Sequence, residues 1–159
     1  MATQTKSPEN LLELAKIFWN HSENLRWPTE QIMQELCSQY SFPKNELRVR
    51  QILKISKVIP EFQETLLKGI HALDYLALLA NCSQSDQKIF YEKLVLPYRI
   101  NYNTQKKLFE WLFDWAQRDT SGSIAQVIET IGRPKNLEDL TETIFAARFP
   151  QAHRVQKTS

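Results

Sequence analysis

Three glycines, Gly69, Gly122 and Gly132, are all that the 159 residues contain, and no window sustains an alternation of apolar and polar residues. A sheet would lack both its turns and its strands, because tight turns draw on glycine and half-buried strands on a period of two. The chain is therefore expected to be all-α. Its seven prolines act as punctuation, since proline fits the first turn of a helix, breaks an interior, and disfavours helix in the residue before it.

Cut at these points, the sequence predicts helices over about residues 9–25, 28–40, 43–58, 60–69, 71–81, 85–96, 103–118, 123–131 and 137–148. Leu11, Leu14, Ala15 and Phe18 give the first of them its i, i+3, i+4, i+7 stripe, with Ser7-Pro8 as a start; Ile32, Leu36 and Tyr40 do the same for the second. Gly69 reads as a left-handed terminator, and Asn103 or Thr104 as the cap of the seventh helix.

Several function classes find no residues to support them. Cys37 and Cys82 stand apart from each other and from histidine, which suits neither a disulfide framework nor a zinc site; both read as reduced core or boundary residues. His21, His71 and His153 are isolated, with His71 expected as a capped or buried structural residue. No phosphate loop, nucleophile elbow or metal motif occurs, so neither catalysis, a metal nor a cofactor is expected. The longest weakly polar stretch, residues 70–80, contains His71 and Asp74 and is short of the roughly 20 apolar residues of a bilayer span. With no secretory signal visible at the N-terminus, the expected location is the cytoplasm.

Charge is more informative in its distribution than in its sum of +2. Residues 9–43 hold five acidic and two basic side chains, whereas residues 44–57 hold five basic ones and the single acid Glu46. Those two stretches contain consecutive helices joined by a short connection at Ser41-Phe42, the arrangement of a helix-turn-helix. On a helical wheel Val49, Ile52 and Leu53 face one way, while Arg50, Lys54 and Lys57 form a stripe on the other, flanked by Gln51 and Leu47. A recognition helix requires this division, one face packing inward and the other offering hydrogen-bonding groups to base edges and phosphates. Asn45, Arg50, Gln51 and Lys54 suit base edges; Lys44 and Lys57 suit phosphates, and Arg48, at the margin of the inner face, suits a phosphate or an ion pair. The same pattern also fits an ordinary amphipathic helix with a solvated basic face.

The order of segments resembles the central helical domain of ParB-type partition proteins and the related nucleoid-occlusion factors. Leu11-Leu12-Glu13-Leu14-Ala15 stands where that domain's first helix begins, and Ile32-Met33-Gln34-Glu35-Leu36 where its motif begins. Val49-Arg50-Gln51-Ile52-Leu53-Lys54-Ile55 resembles its recognition helix, followed by Ile59-Pro60, Gly69-Ile70 and the alanine- and leucine-rich 71–79 in the family's order. The likeness spans residues 11–96, about half the chain, and the turn before the recognition helix lacks the family's glycine. It implies site-specific binding of double-stranded DNA and association with a nucleoid or plasmid. The family's nucleotide-binding domain has no counterpart in the residues before the first helix, so nucleotide hydrolysis is not implied.

The expected architecture is an orthogonal multi-helix bundle containing a helix-turn-helix. It comprises a ParB-like domain at 9–96, a helical extension packed on it at 103–149 and a flexible tail at 150–159. In the extension, Leu108, Phe109, Trp111, Leu112, Phe113 and Trp115 make one helix apolar around most of its circumference, which fits a central core helix or an oligomer seam. A protein-interaction adaptor using this Trp-rich half is the alternative function, and a homodimer or a helical protein is the expected partner besides DNA.

Overall fold

The computed structural model describes residues 10–148, and every regular element among them is helical. The expected tail at 150–159 and the Ser7-Pro8 start lie outside the described residues. The chain divides into two units between Asn81 and Cys82.

In the first unit, α1 (Leu11–Glu23) begins on Asn10, whose side-chain oxygen accepts the Glu13 backbone N–H at 3.0 Å. Leu14, Ala15 and Phe18 are buried and Leu11, which begins the i, i+3, i+4, i+7 stripe, is half-buried. Helix α2 runs through residues 29–40 as a first turn Thr29–Gln31, a π segment Ile32–Leu36 and a final turn Cys37–Tyr40. A π turn takes in an extra residue and moves the inward face along the chain. Consecutive Leu36 and Cys37 are consequently both buried, while Tyr40, placed inside by the simple period, is half-exposed.

Ser41 ends α2 in the left-handed conformation, φ 57°, that glycine ordinarily supplies, and the Phe42 N–H closes the turn on the Cys37 carbonyl at 3.0 Å. Phe42 then buries its ring edge-on against Phe18, 5.2 Å between centroids. The connection therefore extends over residues 41–45, longer than Ser41-Phe42 alone.

Helix α3 (Glu46–Leu53) tightens into a 3₁₀ turn, Lys54–Lys57, and is shorter than the expected 43–58. Asn45 sets the start: its backbone is extended and its side-chain oxygen accepts the Arg48 N–H at 3.1 Å, an N-cap. The end is set by Ile55, fully buried, and by the Gln63 amide, which donates to the carbonyls of Ile55 (3.3 Å) and Val58 (2.9 Å). Helix α4 opens on Pro60 (Pro60–Gln63) and closes as the 3₁₀ segment Glu64–Lys68; α5 is Ala72–Ala80. The first unit's core gathers Phe18, Ile32, Val49, Ile52, Phe62, Leu73 and Leu76.

Gly69 stops α4 at φ 121°, ψ −179°, outside the left-handed helical region expected for it. Only glycine occupies that region readily. Because nothing lies within 4 Å of an added Cβ, Gly69→Ala tests backbone strain alone. It should lower stability by about 1–3 kcal/mol, read as an earlier urea midpoint at constant slope.

The second unit contains α6 (Gln84–Phe90, continuing as the π segment Tyr91–Val95), α7 (Tyr102–Asp119), α8 (Ile124–Ile131) and α9 (Leu137–Arg148). Helix α6, which the sequence grouped with the first half, packs here instead. Phe90 lies 4.9 Å from Phe109, and the Asp86 carboxylate accepts the Ile124 N–H at the start of α8, at 3.1 Å. The cap of α7 is Asn101 rather than Asn103 or Thr104; its side-chain oxygen accepts the Thr104 N–H at 2.9 Å. Leu108, Phe109, Leu112, Trp115 and Ala116 of α7 are buried, which makes it the core helix of this unit.

Both cysteines are free thiols, Cys37 buried and Cys82 partly so. Burial, reinforced by the Asp86 carboxylate, pushes the Cys82 thiol up to about 11, and burial also raises Cys37 against the opposing charge of Lys44. Neither carries much thiolate near neutral pH. Among the described residues no helix is long and apolar enough to cross a membrane.

Candidate nucleic-acid interface

The basic segment 44–57 lies at the surface of the first unit, with α3 packed through Val49 and Ile52 against α1 and α5. Lys44, Asn45, Arg50, Lys54 and Lys57 are exposed. Because residues 54–57 form a 3₁₀ turn, Lys54 and Lys57 line up along the axis instead of diverging by the α-helical angle. Arg50 holds Glu46 one turn earlier at 3.0 Å, both side chains well exposed. Such a pair contributes only about 0.3–0.5 kcal/mol and yields readily to a stronger acceptor.

Two of the expected contact residues are withdrawn from this surface. Gln51, expected to reach base edges, is 8% exposed. Its amide nitrogen donates to Asp74 Oδ1 at 2.9 Å, and its oxygen accepts from Arg48 Nη1 at 2.9 Å. Arg48 in turn reaches Asp74 Oδ1 at 3.1 Å and the Ile70 carbonyl at 3.5 Å. Of the two roles expected for Arg48, it takes the ion pair, with its side chain 19% exposed and that of Asp74 62% exposed. The three side chains form a polar strut between α3 and the first turn of α5. Asn45, also expected at base edges, uses its oxygen as the helix cap, although it stays exposed.

Asp74 was not a candidate from the sequence, where it is one acid in an apolar helix. Its isolation there was the only signal. Asp74→Ala would leave the buried Gln51 amide without its acceptor. The expected loss is about 1–2 kcal/mol, kept low because the carboxylate is largely solvated. Asp74→Asn, which keeps an acceptor oxygen, should recover most of it; urea titration of the two variants checks this.

Leu47 stands beside the basic stripe, as expected, with Lys54 and then Arg50 next to it around the helix. It is 63% exposed, while Gln51 on its other side turns inward. At 3.6 residues per turn, Leu47, Lys54 and Arg50 fall within an arc of about 60°.

No second constellation of this kind occurs in the other candidate residues. His21 bonds the Ile17 carbonyl through Nδ1 at 2.8 Å and meets the Trp27 ring edge-on, while His71, expected as a capped or buried residue, is exposed at the N-cap position of α5 with no side-chain cap bond. Among the described residues no three His, Cys, Asp or Glu side chains are grouped to hold a metal ion. In the second unit a groove of about 710 Å³ has apolar walls including Ile89, Ala125 and Ile128, rimmed by Glu92, Lys93, Glu129 and Arg133. Its two acids and two bases give it no net sign. Compared with family models, with curated proteins and with solved structures, the chain finds no match in any of the three.

Proposed function

We propose that the chain binds double-stranded DNA site-specifically through residues 44–57. Segment 29–57 would serve as a helix-turn-helix in the manner of the central domain of ParB-type partition proteins. The supporting observation is the outer face of α3, where Arg50 and Lys54 stand exposed on a helix whose inner side is anchored by Val49, Ile52 and the Arg48–Gln51–Asp74 strut. A rigidly held helix with outward cations suits major-groove entry, because the register of the contacts is fixed before binding. In this reading Arg50 and Lys54 contact base edges, while Lys44 and Lys57 hold phosphates. A nucleoid- or plasmid-associated location follows from the same reading.

The adaptor alternative rests on tryptophans available to a partner. Trp115 is 8% exposed and Trp111 packs edge-on against Phe145, 5.5 Å between centroids, under Lys107. Trp115 is thus closed to a partner, whereas Trp111 is half-exposed beside Phe145, which is 41% exposed, so the choice of DNA rests on α3 and not on this helix.

The test is selection of bound sequences from random duplexes over a salt series, with Arg50→Ala and Lys54→Ala alongside the native chain. An enriched motif that Arg50→Ala relaxes at one position, at a cost of about 1–3 kcal/mol there, supports the proposal. No binding even at low salt overturns it.

A further inference from the structure

We infer that Leu47 is a specificity-determining residue that reads the C5-methyl group of a thymine; this rests on the DNA-binding reading above. A leucine 63% exposed in the first turn of α3 has no role in the core, which Val49 and Ile52 fill from the opposite side. The N-terminal residues of a recognition helix are the ones that meet base edges, and the thymine methyl is the major-groove feature that an apolar side chain recognises.

Charge complementarity decides between this occupant and an apolar protein groove. Arg50 and Lys54 lie within about 60° of Leu47 around the helix, and both are exposed. Seating Leu47 in an apolar protein pocket would draw those two cations out of water, at a cost that the burial of one leucine does not offset. A DNA major groove resolves the conflict, presenting a methyl group at its floor while hydrogen-bond acceptors and phosphates surround it. Gln51, the polar side chain that would otherwise compete for the same base pair, is held away by Asp74 at 2.9 Å.

The experiment uses the selected duplex with each thymine replaced in turn by deoxyuridine, which removes only the methyl group. The native chain is expected to lose about three- to fivefold in affinity at one thymine per bound α3, the equivalent of one buried methyl group. Leu47→Ala should bind the thymine and uracil duplexes alike, with its salt dependence and its preference at the Arg50 position unchanged. Its exposure makes this substitution safe for folding, and a thermal melt matching the native chain controls for it. A native chain indifferent to every replacement, or a Leu47→Ala variant that still discriminates, overturns the inference while leaving DNA binding intact. Absence of any duplex binding overturns the underlying reading and this inference together.

Discussion

Replacing Lys44, Lys54 and Lys57 together by alanine is expected to weaken binding to duplex DNA by about a hundred- to a thousandfold near 0.1 M salt. Each lysine that neutralises a phosphate releases condensed counterions, and each contributes about 0.9 to the slope of log affinity against log salt. Losing the phosphate contacts of Lys44 and Lys57 should flatten that slope by roughly 1.8, while losing the base-edge contact of Lys54 lowers affinity further at every salt concentration. All three side chains are exposed, so the variant should fold as the native chain does. Fluorescence anisotropy with a labelled duplex at four or five salt concentrations gives both quantities. An unchanged slope would mean that this face does not meet the phosphate backbone, whatever else binds there.

Phe18→Ala should have the largest effect on stability in the first unit, about 3–5 kcal/mol. Phe18 is fully buried and meets Phe42 edge-on at 5.2 Å, so its ring joins α1 to the connection that launches α3. Truncation removes the aromatic contact and leaves a cavity beneath that connection. A loss of this size approaches the whole stability of many small domains. Urea denaturation followed by circular dichroism should show a transition at much lower denaturant, and DNA affinity at a temperature where the variant remains folded should fall as α3 loses its support. A cost under about 1 kcal/mol would mean that the ring is not what holds the connection in place.

The helical class was legible in the scarcity of glycine and the absence of alternation. Most helix boundaries were legible in prolines and small polar caps, since Pro60 and Ser123 act as their chemistry dictates. The inward stripe Leu14, Ala15 and Phe18 followed from a period that needs no knowledge of neighbours. Even the place of Leu47 beside Lys54 and Arg50 could be read from angles, because it depends on one helix only. Where a π turn entered α2, the period misplaced Tyr40, and α7 starts earlier than expected, on Asn101 and not on Asn103 or Thr104.

The fate of Gln51 and Arg48 was decided elsewhere in the chain. Their partner Asp74 lies 23 and 26 positions away, and only the packing of α3 on α5 brings it to 2.9 and 3.1 Å. The length of α3 was settled similarly by Gln63, which satisfies the Ile55 and Val58 carbonyls from the following helix. The grouping of α6 with the second unit depends on Phe90 meeting Phe109. Sequence alone determined which residue types face outward along each helix, because helical geometry repeats over 3.6 residues. Tertiary structure determined which of those polar groups remain available, because hydrogen bonds and packing between helices depend on residues far apart in the chain.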